Sequence, residues 1–124
     1  ILAGSVEAIA EARRLRKMLG GGIRQGGMLA AAGLIALNRI GELSKDHAKA
    51  AALAKGLAGL GWVVNTPETN IVLAEVADVN SCLHGLNGVG VRAVPLAGKV
   101  RFVTHRDVST SDISEALRRI KSVA

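Results

Sequence analysis

Two cationic side chains, Lys17 and Arg24, flank three consecutive glycines, Gly20 to Gly22. Glycine has no Cβ and adopts positive φ readily, so this run lets the backbone bend sharply and lets an anion approach its N–H groups. A lysine and an arginine on either side of such a bend could reach one phosphate or carboxylate. The segment therefore predicts an anion site at a helix–loop–helix junction. The alternative is a plain flexible joint, which most glycine runs form.

Arg101 is the second candidate, because it lies in a run of strand-forming residues. Alternation along a strand places Val100, Phe102 and Thr104 on one face and Arg101, Val103 and His105 on the other. An arginine among apolar neighbours either leaves the sheet at an edge or meets an anion. Its planar guanidinium suits bidentate binding of a substrate carboxylate. Both interpretations stay open on these residues alone.

The other reactive side chains have structural explanations. His105 and Asp107 could do acid–base work, but no nucleophile accompanies them, which favours a turn-capping or core histidine. Cys82 has no basic neighbour in sequence to lower its pKa, which favours an inert core thiol. The three histidines are scattered singly, so no zinc site of the usual Cys/His type is expected.

Composition narrows the classes of partner. The net charge of +6 permits nucleic acid and equally suits anionic small molecules. An aromatic content of 2% argues against single-strand nucleic-acid binding, which relies on stacking. The apolar run from Met28 to Leu37 is shorter than the roughly 20 residues of a membrane span. One cysteine excludes an internal disulfide and fits a reducing compartment, so we expect a cytoplasmic protein.

Periodicity and capping residues predict most of the elements. Helices are expected from Ser5 to Gly20, Arg24 to Ile40, Ser44 to Leu60, Asp78 to Gly88 and Ser109 to Ile120. Strands are expected at 1–3, 62–64, 70–76, 91–96 and 99–105. Ala97-Gly98 is the predicted hairpin turn and Pro95 the predicted strand end or edge. Helices followed by a small, mostly antiparallel sheet predict an α/β fold of the α+β type.

Two of these helices carry further expectations. The second is apolar almost all round, so another surface must bury it, and in the chain alone we expect it to form an exposed apolar patch. The third is amphipathic, and its predicted solvent side carries Lys45, Asp46, Lys49 and Lys55.

Taken in order, these segments resemble the C-terminal third of low-specificity L-threonine aldolases, pyridoxal 5'-phosphate enzymes of the aspartate aminotransferase fold type. The resemblance is carried by Arg16 to Gln25, Leu29 to Leu34, Glu42-Leu43, Asp46-His47, Thr69 to Val72 and Val100 to Ser109. It implies that residues 1–43 are the end of a large domain with interface helices, and 44–124 a small C-terminal domain.

The resemblance also implies roles. Lys17 and Arg24 match residues that reach the cofactor phosphate of a neighbouring subunit in a homo-oligomer, a dimer or tetramer, and Arg101 matches the arginine that holds the amino acid's α-carboxylate. The family reaction is retro-aldol cleavage of threonine or allo-threonine to glycine and acetaldehyde. The lysine that forms the Schiff base lies upstream of Ile1 in the family. We therefore expect no catalytic residue within this chain, no metal site, and no activity from the chain alone.

Two alternatives stay open. A non-catalytic module could keep only oligomer-interface and anion-binding functions, and a basic domain could bind nucleic acid.

Overall fold

The computed structural model describes residues 2–122, and the chain divides into two compact units, one ending at Asn38 and the other beginning at Arg39. The first unit contains α1 (Val6–Met18) and α2 (Gly27–Leu37). The second contains a 3₁₀ turn (Ile40–Glu42), α3 (Leu43–Gly59), β1 (Val63–Val64), β2 (Ile71–Glu75), α4 (Val79–Gly88), β3 (Val94–Leu96), β4 (Lys99–Val103) and α5 (Thr110–Ile120).

Helix α1 begins where its capping residue predicts, because the Ser5 hydroxyl accepts a hydrogen bond from the backbone N–H of Ala8 at 3.2 Å. The strand expected at 1–3 is wrong for Leu2 and Ala3, which belong to no strand, and Ile1 lies outside the described residues. Leu2 is exposed, and no neighbouring strand pairs with this segment among the described residues.

Helix α2 is apolar along its length, yet none of its residues is buried within the chain. Met28, Leu29 and Leu34 all expose more than half of their surface. The chain by itself thus exposes this apolar helix, as the sequence predicts for a helix that needs another surface to cover it. None of the helices within residues 2–122 combines the length and the hydrophobicity needed to cross a bilayer.

The four strands form one antiparallel sheet in the order β1-β2-β4-β3. The β3–β4 hairpin turns at Ala97 and Gly98, whose φ angles of 48° and 76° are both positive, as a two-residue turn of the primed type requires. Pro95 lies on β3, an edge strand that tolerates a missing N–H donor. The predicted hairpin and the predicted edge position are confirmed.

Helices cover one face of the sheet. The inward residues of β2 and β4 alternate with outward ones, and they join α3, α4 and α5 in a single core. Its fully buried members are Ala50, Leu53, Ala54, Leu57, Val72, Ala74, Leu86, Val100, Phe102, Ile113 and Ile120. The predicted fold class, a small antiparallel sheet backed by helices, is confirmed.

Helices α3 and α5 pack closely where Gly56 faces Leu117. A Cβ built on Gly56 would overlap the three outer carbons of the Leu117 side chain, so the glycine is what allows this approach. Gly59, near the end of the same helix, has open space where its Cβ would lie.

We predict that Gly56→Ala lowers the free energy of unfolding by about 1–2 kcal/mol, because overpacking costs about 1–3 kcal/mol and the gain in helix propensity offsets at most about 1 kcal/mol. Chemical denaturation measures the change. Gly59→Ala is the matched control and should leave the stability unchanged or slightly raised. Equal stability of the two variants would contradict the close packing at Gly56.

Candidate functional site

Arg101 lies at the centre of the sheet rather than at an edge. Its strand, β4, is paired on one side with β2 and on the other with β3. In the register of these pairings Arg101 is opposite Leu73 and opposite Val94. The alternative in which this arginine leaves the sheet at an edge is therefore wrong.

The face that carries Arg101 is opposite to the one that α3, α4 and α5 cover. Val100 and Phe102 point into the core, so alternation turns Arg101 and Val103 to the opposite side, as the sequence predicts. Apolar side chains surround the arginine on this open face, and Val63, Val94, Leu96 and Val103 are all exposed there. The open face is thus an apolar surface with a cation at its centre.

The Nε atom of Arg101 is buried and has no hydrogen-bond partner. Within residues 2–122 the Arg101 side chain forms no ion pair. A buried donor without a partner is costly, about 1–3 kcal/mol and more when it is charged, so most such groups have an acceptor. A carboxylate placed over this face would supply two acceptors in the geometry of the guanidinium fork.

One ion pair shares the open face with Arg101. The Lys99 ammonium donates to Glu75 Oε1 at 2.6 Å, and the two side chains are 41% and 57% exposed. Lys99 precedes Arg101 by two positions on β4, and Glu75 follows Leu73 by two positions on β2. Lys99 and Glu75 are 24 positions apart in the sequence, so no local pattern of residues could predict this ion pair.

Lys17 and Arg24 belong to the first unit, whereas Arg101 belongs to the second. Helix α1 ends in a Schellman motif: the Gly21 N–H donates to the Arg16 carbonyl at 2.8 Å, and the Gly20 N–H donates to the Lys17 carbonyl at 3.2 Å. Gly20 has a φ of 75°, which explains why this position is a glycine. A helix C-cap therefore accounts for the first glycine of the run without any ligand.

The two cations beside this cap have no partner within residues 2–122. Lys17 and Arg24 are both exposed, and neither side chain forms a hydrogen bond or ion pair to the described part of the chain. The Lys17 ammonium lies beside Gly22, at 3.7 Å from where a Cβ would stand. Both are thus uncompensated cations beside the glycine run. Their convergence on one phosphate stays a prediction.

Sequence reasoning missed a buried ammonium, that of Lys49. Its Nζ donates to the carbonyls of His105 at 2.6 Å and Val108 at 2.7 Å, and it pairs with Asp46 Oδ1 at 2.7 Å. The side chains of Lys49 and Asp46 are only 10% and 13% exposed. Placing both on the solvent side of α3 is therefore wrong. Helical periodicity gives no information about hydrogen-bond acceptors more than fifty positions away in the sequence. The i,i+3 spacing of Asp46 and Lys49 is nevertheless one at which an ion pair can form on a helix.

The segment after β4 is thereby fixed to α3. Thr104 is buried, and its hydroxyl donates to the Asp46 carbonyl at 2.8 Å. The Asn70 amide also donates to the Thr104 carbonyl at 2.7 Å, next to the end of β2. The run from Thr104 to Val108, which carries part of the family resemblance, is thus held in place directly beyond the strand of Arg101.

The remaining reactive side chains agree with the structural interpretations. His105 Nδ1 accepts a hydrogen bond from the Asp107 backbone N–H at 3.3 Å, which makes this histidine part of a turn. Burial, with a smaller contribution from the charge of Asp78, raises the pKa of the Cys82 thiol above its ordinary value. Residues 2–122 contain no group of three or more potential metal ligands.

Residues 1–79 of the chain match the family model described as beta-eliminating lyase. The chain is 40% identical over 120 residues to the low specificity L-threonine aldolase of Escherichia coli K12, covering 93% of this chain and 35% of that protein. It is 37% identical over 127 residues to the probable low-specificity L-threonine aldolase 2 of Arabidopsis thaliana, covering 94% of this chain and 36% of that one. The chain thus spans about a third of the length of these curated relatives.

The fold has a solved counterpart. A mutant aspartate aminotransferase of Thermus thermophilus, in complex with tryptophan, superposes with a TM-score of 0.56 at 24% identity. The match covers 77% of this chain and 26% of the aminotransferase. It shows that most of this chain shares the fold of the matched part of the aminotransferase.

We predict that Lys49→Met lowers the free energy of unfolding by about 3–5 kcal/mol, because it leaves the Asp46 carboxylate and two backbone carbonyls buried without their partner. Denaturant unfolding monitored by circular dichroism measures the loss. Lys45→Met removes an exposed lysine one turn earlier on the same helix and should have little effect. If both variants unfold alike, the Lys49 ammonium does not anchor the segment after β4.

Proposed function

The chain belongs to the beta-eliminating lyase family, and from this membership we propose that it forms the C-terminal part of a pyridoxal 5'-phosphate-dependent threonine aldolase. The reaction is a carbon–carbon lyase reaction that cleaves L-threonine or L-allo-threonine to glycine and acetaldehyde. The likeness to threonine aldolases over 93% of the chain supports the choice of activity within the family. The proposal includes a larger domain upstream that carries the catalytic lysine.

The unpartnered guanidinium of Arg101 is the observation that carries the proposal. An amino-acid substrate needs a cationic group to hold its α-carboxylate, and a planar fork fixes the substrate's orientation as well as its position. Arg101 stands on the open sheet face with a buried donor that lacks an acceptor. Leu73 on β2 and Val94 on β3 flank the guanidinium with apolar side chains, so the positions directly opposite it offer no competing polar partner on either side.

Lys17 and Arg24 are proposed to bind the cofactor phosphate of a neighbouring subunit. When bound, pyridoxal phosphate supplies an electron sink for the charge that carbon–carbon cleavage leaves on the glycine fragment. Two unpaired cations at the end of α1 would neutralise the phosphate and anchor it. Their task is binding, so the chain contributes substrate and cofactor contacts rather than a reacting group.

Homo-oligomerisation is part of this proposal. Helix α2 exposes Met28, Leu29 and Leu34 on a helix with no buried residue. Contiguous apolar surface of this kind marks protein interfaces in soluble proteins. A non-catalytic interface module, which this surface also favours, is the second candidate function. Glycine release by the full-length protein decides between the two.

We also propose a cytoplasmic location and a role in amino-acid metabolism, in threonine breakdown and glycine formation. The one cysteine, Cys82, is a free thiol, and the absence of a disulfide suits a reducing compartment.

We predict that the full-length protein releases glycine from L-allo-threonine when pyridoxal phosphate is present, whereas the 124-residue chain alone does not. In the full-length protein, Arg101→Lys should raise KM for the amino acid about tenfold, because a lysine keeps the charge and loses the bidentate fork. Steady-state kinetics with a coupled acetaldehyde assay measure both. Arg118→Lys, on α5, is the matched control and should leave KM unchanged. An unchanged KM in Arg101→Lys would remove the carboxylate role.

The role across the subunit interface has its own test. A subunit with Lys17→Ala and Arg24→Ala, and a second subunit with Arg101→Ala, are each expected to be almost inactive as homo-oligomers. Co-expressed with different tags and purified together, they should regain about half of the activity per mixed dimer, since one of two symmetric sites then has both intact contributions. Mixed oligomers without activity would show that Lys17 and Arg24 do not act in the partner's site.

A further inference from the structure

Glu75 is the one carboxylate in the four strands of the described chain, and it lies on the open face near Arg101. Arg101 is opposite Leu73, so Glu75, two positions further along β2, is its diagonal neighbour on the same face. Diagonal neighbours in an antiparallel sheet lie about 7–8 Å apart, within reach of long side chains. A glutamate and an arginine in this relation can form a bidentate ion pair.

An ion pair between Glu75 and Arg101 would block the binding of the substrate carboxylate that the proposed function requires. A carboxylate fixed on the same sheet competes with a dissolved amino acid at an effective concentration of the order of millimolar or above. Enzyme KM values range from about 1 μM to 1 mM, so an internal carboxylate would occupy the guanidinium for much of the time. The arginine nevertheless has no internal partner, although an acidic side chain is within reach.

Lys99 explains why Glu75 does not pair with Arg101. Its ammonium holds Glu75 Oε1 at 2.6 Å. The lysine is a compact charge with three donors, which suits a single carboxylate oxygen, and the resulting pair has no net charge. Arg101 then remains the one uncompensated cation among the strand residues of the open face.

We propose that Lys99 is a positioning residue that keeps the Glu75 carboxylate away from Arg101 and so keeps the guanidinium available for the substrate carboxylate. The inference rests on the proposed function for its consequence in catalysis. The arrangement itself, Lys99 holding Glu75 apart from Arg101, can be tested without any turnover.

The structural test is a crystal structure of the full-length protein with Lys99→Met. The freed Glu75 carboxylate should move to the Arg101 guanidinium and form hydrogen bonds of about 2.7–2.9 Å. A Glu75 that stays more than about 5 Å away, beyond hydrogen-bonding reach, would overturn the proposal. The ion pair is largely exposed and such pairs contribute little to stability, so we expect the variant to fold normally.

The kinetic test is a double-mutant cycle in the same protein. Lys99→Met should raise KM for L-allo-threonine about three- to tenfold with little change in kcat, because it weakens binding in the ground state and transition state alike. Glu75→Gln alone should not raise KM. The double variant should return to a KM near that of the unmodified protein, since the competing carboxylate is gone.

Lys55→Met is the matched control, because it removes one positive charge from an exposed position on α3, the helix packed on the opposite face of the sheet. It should change neither KM nor the position of Glu75. Lack of rescue in the double variant would contradict the proposal. If the unmodified protein cleaves no threonine, the proposed function fails, and the crystal structure alone decides the role of Lys99.

Discussion

The alternation of strand β4 is the constraint on which the site depends. Val100 and Phe102 must enter the core that α3, α4 and α5 build on one face of the sheet. Because successive residues of a strand point to opposite faces, Arg101 is thereby turned to the face opposite these helices. A shift of register by one residue would bury a guanidinium and expose a phenyl ring. The hydrophobic free energy of the core thus fixes the direction of the arginine.

The same strand connects stability with the site. Beyond its last residue, the chain enters the segment that the Lys49 ammonium ties to α3 through two carbonyls. Burying an ammonium is favourable only when all of its donors are satisfied, and here three oxygen atoms surround it. A charge that is satisfied in this way specifies one arrangement of the segment, because any other leaves donors or acceptors unpaired. The end of β4 is therefore defined by polar contacts and its centre by apolar ones.

Local features of the fold could be predicted from the sequence, and contacts between distant residues could not. The caps at Ser5 and Ser109, the hairpin at Ala97 and Gly98, and the two faces of β4 all depend on neighbouring residues, and the structure confirms them. The burial of Lys49 and the pairing of Lys99 with Glu75 depend on elements that meet only in the folded chain. The apolar sequence of α2 indicated that another surface must pack against this helix, yet the described chain buries none of its residues.

Termination of α1 explains part of the glycine run from Gly20 to Gly22, and the rest needs another explanation. The Schellman motif at the end of α1 requires positive φ at Gly20 only, so capping explains one glycine of the three. A Cβ on Gly21 would lie 3.1 Å from the Arg16 side chain and 3.2 Å from the Arg16 carbonyl oxygen, a backbone atom that cannot easily move aside. Gly22 has room for a Cβ, at 3.7 Å from the Lys17 ammonium. Helix termination therefore does not require the third glycine, which lies next to the cation that we assign to the phosphate.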